Sequence, residues 1–598
     1  MPDVPNPELN QYGKPIRLID DTDALAGKSL NINGDSSISD NPNRYKQHGF
    51  YFNADHCISC HACESACSEK NNLSPHLAFR SVGYVEGGTY PDYHRLNISM
   101  ACNHCDDPVC LKGCPTRAYT KFAEYGAVLQ DPDICFGCGY CTWVCPYNAP
   151  QLDPVNGQVE KCNMCVDRLE VGLKPACVSS CLAGALDFGV IETTPENRDQ
   201  LKTHIPGFPD PEITHPNIRF QQTKSIPREM TRTDVVPLRY ERDDDSKPFK
   251  TRTSEKQTKK AWGLDKLRSR EDPLVIFTLI TQAVVGAFLL LMMMPIAGIA
   301  TLSASTHPVA YPAFLVGLLA IESVALFLST MHLGKPHRFY RAFNNLRYSP
   351  VSREVAGIAV FYNLLGLYTL LTIFPGALTA LTGARAGNIM QAIGVVTVIA
   401  GVAALYFMHA IYRIKARPFW NHWQVLSSFF GNTLTLGAVF VGIYFSVLLH
   451  YQGQSYTSML NMLALPMIAG MVLEGTGQIF HVRFLKRTGG EAVASYYQQC
   501  TTYGKTYCLR KIFMLSLPVI AAVLVLVSPH GVTGLAVWFV LAVLIVVSAL
   551  IGRMLFYVLV IPTTMPGAFF WRNKGFQEHA IETGLAKQPQ TGVVDLKH

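Results

Sequence analysis

Sixteen of the 18 cysteines lie between Cys57 and Cys181, in four runs of four. The first run is Cys57, Cys60, Cys63 and Cys67, and the second is Cys102, Cys105, Cys110 and Cys114. The third is Cys135, Cys138, Cys141 and Cys145, and the fourth is Cys162, Cys165, Cys177 and Cys181. Two-residue gaps let a tight loop wrap three thiolates around one corner of a cubane, while a fourth thiol three residues on points to the other cluster of a pair. Disulfides are disfavoured by these regular gaps and by the cytoplasmic placement argued below. Zinc sites use C-x2-C pairs, but a third cysteine two residues on and a fourth after three more have little use in a tetrahedral knuckle. A three-iron cluster would be suspected if one of the sixteen were replaced, and none is. Sixteen thiolates at four each therefore point to four [4Fe–4S] clusters. The remaining thiols, Cys500 and Cys508, read as a free cytoplasmic pair.

A second set of reactive groups sits among apolar residues. From Pro273 to Trp571 the only acidic residues are Glu322, Glu354, Glu474 and Glu491, against 16 Lys and Arg. Ionisable groups are costly in a bilayer, so each is a functional candidate. His332, His409 and His481 could in principle be haem ligands, but their spacing does not set a pair facing across one bundle, and no haem is expected. Glu322 and Glu474 also read as hydrogen-bonded helix glue, and Arg553 as a side chain snorkelling to the interface.

These groups need elements to hold them. Short β-like runs at 48–52, 126–129 and 186–190 separate the cysteine runs. Eight apolar runs follow, near 274–294, 309–330, 354–374, 388–411, 424–448, 459–480, 511–528 and 534–560, each close to the ~20 residues that span a bilayer. Residues 1–45 form a polar arm with no secretory core and no twin-arginine pair. A polar, basic strap is expected over 191–272, and a polar tail over 572–598. The connections on the side of the cysteine-rich region carry 14 basic residues, while the opposite side has Arg385 alone. Lys and Arg resist translocation, so the cysteine region and the C-terminus are expected on the cytoplasmic face of a bacterial inner membrane. The apolar half excludes a small secreted disulfide protein and a soluble enzyme, and the cysteine block excludes a simple channel. A nucleic-acid binder is not expected, because the positive excess lies among membrane-length runs. A transporter with a redox regulator would show inverted repeats, and none is visible.

The stretch Cys162-Asn163-Met164-Cys165 through Asp167-Arg168-Leu169 to Lys174-Pro175-Ala176-Cys177 resembles the four-cluster ferredoxin subunit of the molybdopterin oxidoreductases. That likeness covers 46–190. The apolar half, 273–571, resembles the eight-helix anchor subunit of the dimethyl sulfoxide reductase family, through His332-Leu333-Gly334-Lys335-Pro336-His337-Arg338 and Ser349-Pro350-Val351-Ser352-Arg353-Glu354. The chain departs from the family in joining on one polypeptide what is usually two subunits. Ser68 and Leu182 also stand where a proline often follows a run. The resemblance implies an α+β double ferredoxin-type domain fused to an all-α domain of eight transmembrane helices. It also implies a ligand pairing: Cys57, Cys60 and Cys63 with Cys181; Cys162, Cys165 and Cys177 with Cys67; Cys102, Cys105 and Cys110 with Cys145; Cys135, Cys138 and Cys141 with Cys114.

The chain lacks a molybdopterin-sized catalytic domain, a dinucleotide fingerprint and a nucleophile with its base. Electron transfer is therefore the expected work, between the membrane quinone pool and a separate molybdopterin catalytic subunit. The favoured direction oxidises menaquinol or a similar quinol, and the alternative is the reverse, for a formate or sulfur-compound dehydrogenase. For quinol oxidation His332 can take a proton near neutral pH and Glu354 can relay another. Arg338 and Arg353 can hold negative charge on a quinol oxygen, and Gly334 lets backbone approach the ring. The resemblance points to the same His332, Gly334, Arg338 and Glu354.

Overall fold

A computed structural model of the chain describes residues 43–191, 205–221, 226–232, 238–253, 264–295 and 302–565, together with the backbone of three short strands, Glu8–Leu9, Pro15–Arg17 and Asn31–Ile32. The rest of the expected N-terminal arm, the tail 572–598 and the basic residues Lys256, Lys259 and Lys260 of the strap lie outside the described residues.

Alternation builds the first sheet of the cysteine-rich half. In His48–Asn53, Phe50 and Phe52 turn inward while Tyr51 faces out, the period of a half-buried strand. Leu186–Val190 pairs antiparallel with it, and Ile218–Gln221 runs parallel on its other edge. A second sheet has five strands in the order Lys250–Thr253, Leu238–Glu241, Glu229–Arg232, Arg80–Gly87, His94–Ala101. Four of these eight strands come from the region expected to be a strap. Residue 190 is therefore no border of the sheets, and the strap is woven into both of them. Arg44, placed by sequence in the arm, is buried and donates to Glu170 at 3.0 Å.

Between the strands, short helices carry the thiols. Ala62–Asn71 bears Cys63 and Cys67. Val109–Gly113, Tyr140–Val144 and Ala176–Ser179 each begin a four-residue interval, at Cys110, Cys141 and Cys177 respectively. One helical turn separates the two thiols of each interval.

Eight long apolar helices follow, labelled in sequence order: α1 Asp272–Met293, α2 Ala310–Met331, α3 Pro350–Ile373, α4 Ala386–Ile411, α5 Gln424–Tyr451, α6 Thr457–Thr488, α7 Gly504–Val527 and α8 Gly531–Val558. All eight are long and apolar enough to cross a membrane. Polar groups tie them together. Thr281 of α1 donates to Glu322 of α2 at 2.9 Å, and Arg510 of α7 to Glu474 of α6 at 2.7 Å. Arg553 does not snorkel. It is buried, donates to Gln282 at 3.1 Å and lies 4.0 Å from the Phe429 ring centroid, because α1 and α5 offer it partners inside the bundle.

The cysteine-rich half sits on one end of the bundle. Tyr140 and Val144 belong to the bundle's own apolar core, and the Trp143 ring lies against Trp420 at 5.1 Å. Arg417 donates to the Trp143 and Thr142 carbonyls, Asn345 to that of Cys114 and Thr563 to that of Pro146. The connections α2–α3 and α4–α5 and the residues following α8 all meet this half, in agreement with the alternating topology.

Candidate functional site: four thiol clusters leading to a membrane cavity

Each cysteine run turns sharply before its second cysteine. Ser59, His104, Gly137 and Met164 all have positive φ, from 41° to 74°. Such turns aim successive N–H groups inward and favour negative charge. Gly137 N donates to Cys135 Sγ and Met164 N to Cys162 Sγ, both at 3.4 Å. Ala118 N donates to Cys114 Sγ at 3.3 Å and Leu186 N to Cys181 Sγ at 3.4 Å. At 137 only glycine fits, since a Cβ would stand 2.1 Å from the Gly157 carbonyl oxygen.

The turns gather the thiols across runs. Cys57, Cys60, Cys63 and Cys181 line one cavity, and Cys102, Cys105, Cys110 and Cys145 line another. Cys67 has Cys162, Cys177 and Cys165 as electrostatic neighbours, and Cys141 has Cys138, Cys135 and Cys114. Each fourth cysteine thus sits with three from another run. The donor set suits a cubane. All the thiols are free, and among the described residues no three His, Cys, Asp or Glu side chains converge closely enough for a single ion. Burial pushes the Cys145 thiol up to about 11, and a bound cluster would supply the positive charge that holds it as a thiolate. Two buried cations stand among these groups: Arg80, and Lys161, which approaches Cys102 Sγ at 3.6 Å and donates to the Cys162 carbonyl at 2.9 Å.

The group containing Cys138 meets the membrane half at a cavity of about 310 Å³. Cys138, Tyr140 and Trp143 form one wall, and His332, Glu354, Tyr362 and Asn363 supply polar groups on the other. Local signals place both key residues. His332 caps the C-terminus of α2. Ser349 caps α3, accepting from Ser352 N and donating to the Gly113 carbonyl at 2.7 Å, which sets Glu354 just inside the helix. Burial and the nearby Arg270 push His332 down to about 4, so it is a neutral imidazole near pH 7 and not the near-neutral titrating group expected from sequence. A larger groove of about 520 Å³ between α2, α5 and α8 is lined almost wholly by apolar side chains and offers no acid or base.

The other expected quinol residues are used differently. Gly334 does not approach the cavity; it packs on Gly157, where a Cβ would lie 2.1 Å from the carbonyl oxygen, and its N–H donates to Gly137 O. Arg338 donates to the carbonyls of Pro132 and Cys135, both at 3.0 Å. Arg353 donates to the carbonyls of Leu346 and Arg347, holding its own loop. Guanidinium groups satisfy carbonyls left free by a loop, and that need is met first at this junction. His481 bonds to the Phe419 carbonyl at 2.8 Å, and Cys500 and Cys508 are free and exposed. Sequence reasoning missed Tyr140, although it lies within the third cysteine run, and Glu271, whose acidic residue before Asp272-Pro273 reads only as a helix start.

The fold and site together define an iron–sulfur electron-transfer protein built onto a multi-pass membrane anchor. Residues 94–191 match the 4Fe-4S dicluster domain family, and residues 268–559 match the DMSO reductase anchor subunit (DmsC) family. Over 180 residues the sequence is 39% identical to one of the polypeptides of the anaerobic dimethyl sulfoxide reductase of Escherichia coli (strain K12), covering 29% of this chain and 87% of that protein. It is 37% identical over 154 residues to one of the subunits of the sulfite dehydrogenase of Allochromatium vinosum, covering 22% of this chain and 64% of that one. It is 36% identical over 151 residues to the formate dehydrogenase iron-sulfur subunit of Haemophilus influenzae, covering 22% and 48% respectively. The protein belongs to the dimethyl sulfoxide reductase family, as a fusion of its iron–sulfur subunit and its membrane anchor.

Proposed function

We propose that the chain oxidises a membrane quinol, menaquinol or a close relative, and delivers the electrons through four [4Fe–4S] clusters to a separate molybdopterin catalytic subunit. The observation that carries this reading is the shared cavity, where Cys138 of the last thiol group and the pair His332 and Glu354 line one space. Each cluster, when bound, takes up and releases one electron. The chain's residues do the rest. Phe277, Phe339 and Trp143 offer apolar faces to a ring, while His332 and Glu354 each accept one of the two protons a quinol must lose on oxidation.

The neighbours of the thiols support a linear order of clusters. Cys63 has Cys177 beside it and Cys162 has Cys102, while Cys110 and Cys114, like Cys141 and Cys145, bracket one short helix. The Cys138 group then lies at the membrane end and the Cys60 group at the other. Exposed Cys60, Ile58 and Leu182 leave that far end open to a catalytic partner. Relatives bear both reductase and dehydrogenase names, so the reverse direction, quinone reduction, is the second reading.

The test compares donors in His332→Ala and Glu354→Gln. Quinol-dependent turnover is expected to fall about 10²-fold or more, the usual worth of a positioned acid–base group. Activity with an artificial donor that feeds the clusters directly should persist. Normal quinol turnover in both variants would remove the site. Direction is read from cluster potentials measured against the quinone pool.

A further inference from the structure

We propose that Glu271 is the proton acceptor behind His332, completing a two-step path from the quinol cavity toward water. The inference rests on the quinol reading above. Glu271 lies immediately before α1, and its Oε2 is 3.7 Å from His332 Nε2. Among the described residues that oxygen has no hydrogen-bond partner, and neither does the buried Nδ1 of His332. The carboxylate does not cap its own helix, since no side-chain cap bond forms there. A buried polar atom without a partner is costly and needs a reason. With Nε2 turned to Glu271, Nδ1 is the nitrogen left for a quinol oxygen.

The sequence of transfers balances. A quinol hydroxyl gives its proton to His332 Nδ1, and its electrons leave one at a time toward the Cys138 group. The imidazolium releases the Nε2 proton to Glu271 Oε2, leaving a neutral ring protonated on Nδ1; before the next turnover the ring proton returns to Nε2 by tautomer exchange and Glu271 gives its proton to water. The second quinol proton goes to Glu354. The gap of 3.7 Å is longer than a hydrogen bond, and catalytic contacts of this kind commonly tighten when substrate is bound. Exposure runs in the same direction as the path, from 6% for the His332 side chain to 17% for Glu271.

The surroundings favour that order. Groups facing Glu271 are Arg270 and Asp272 on its own segment, Arg417 from the α4–α5 connection, His332 from α2 and Tyr557 from α8. Burial pushes Glu271 up to about 7, with Asp272 adding to the rise and Arg270 and Arg417 opposing it. His332, held near 4, keeps a proton poorly and passes it on. Glu271 accepts only when ionised, so the wild-type rate should climb as the pH rises through about 7.

The experiment uses membranes containing the chain with its catalytic partner. It compares wild type, Glu271→Gln, Glu271→Asp and His332→Ala for quinol turnover across a pH series, with quinone-analogue binding and cluster absorption as parallel readouts. Expected for Glu271→Gln is a loss on the order of tenfold or more and a flattened pH profile, with analogue binding and cluster absorption unchanged and with recovery in Glu271→Asp. Retention of wild-type turnover and pH profile in Glu271→Gln, while His332→Ala is impaired, overturns the relay and leaves the quinol site standing. Loss of analogue binding in both Glu271 variants means a structural role and also overturns it. Normal turnover in His332→Ala removes the quinol site and the relay together.

Discussion

Arg80 is a buried charge among the thiols of the cysteine-rich half, and its setting explains why it is tolerated. Burial opposes the guanidinium's charge, but Cys177, Cys63, Cys162 and Cys67 around it hold it firmly protonated. Its Nη1 donates to the carbonyl and hydroxyl of Ser99, and its plane lies over Phe50 with 4.5 Å to the ring centroid. Among the described residues Nε and Nη2 have no hydrogen-bond partner. A fixed cation beside two thiol groups stabilises added electrons. Arg80→Met is therefore expected to make both neighbouring clusters harder to reduce. A tenfold shift in the equilibrium corresponds to about 59 mV for one electron, and redox titration followed by electron paramagnetic resonance reads it. Unchanged potentials would reduce Arg80 to a packing role. Cys138 is the complementary case. Cys138→Ala should remove or convert the cluster next to the cavity and stop quinol-driven flow, while the membrane half stays folded. Four intact cubane signals in that variant would refute the ligand assignment.

At the scale of elements, close backbone contact holds the bundle. A Cβ at Gly286 of α1 would stand 1.9 Å from the Thr433 carbonyl oxygen, and one at Gly437 of α5 would stand 2.3 Å from the Gly286 carbonyl carbon. Small residues at helix crossings allow this approach in membranes. Gly437→Val should cost about 1–3 kcal/mol, the usual range for overpacking, seen as a lower melting temperature of the detergent-purified chain. A variant as stable as wild type would show that α1 and α5 can part without penalty. These glycines carry no sequence signal of their own, but the helices they join were legible, because eight apolar runs stand out wherever lipid removes water from the backbone. The ends were less so. Helix α6 runs on to Thr488 and α7 starts at Gly504, since both project into the junction, where Arg483 and Lys511 are as acceptable as leucine. The Arg80–Gly87 and His94–Ala101 hairpin carries no alternating signal, because Ser81, Val82 and Val85 are all buried. The strap's strands were hidden by charge: Arg239 and Glu229 pair on an exposed face at 2.9 Å, so a polar sequence still completes a sheet. For the site, residue type and spacing marked the thiols, His332 and Glu354, whereas Gly334 and Arg338 were read for chemistry and instead close the junction.

For the whole molecule, the decisive quantity is which face of the membrane carries the cavity. The α2–α3 and α4–α5 connections and the adjoining ends of α3, α6 and α7 hold 14 basic residues and the opposite face holds Arg385. Arg417 and Arg510 are buried in contacts of their own, yet the remaining excess is still large. The positive-inside rule predicts that this face, on which the iron–sulfur half stands, is the cytoplasmic one. A C-terminal fusion should then be bright with green fluorescent protein and silent with alkaline phosphatase. The same geometry has an energetic consequence. His332, Glu354 and Glu271 all lie at the end of the bundle that meets the iron–sulfur half, so in the proposed quinol oxidation the protons would leave on the side where the electrons leave. A catalytic partner on that side, reducing its substrate with two electrons and two protons, takes up as many protons as the cavity releases. On that proposal no net charge would cross the bilayer, whereas each charge moved against 100 mV would store about 2.3 kcal/mol. Quinol-driven turnover in sealed vesicles is therefore expected to leave a potential-sensitive dye unchanged, with or without an uncoupler. A dye response that an uncoupler abolishes would mean that protons and electrons part company across the membrane. The path from His332 through Glu271 would then have to be replaced by one leading through the bundle to the Arg385 face.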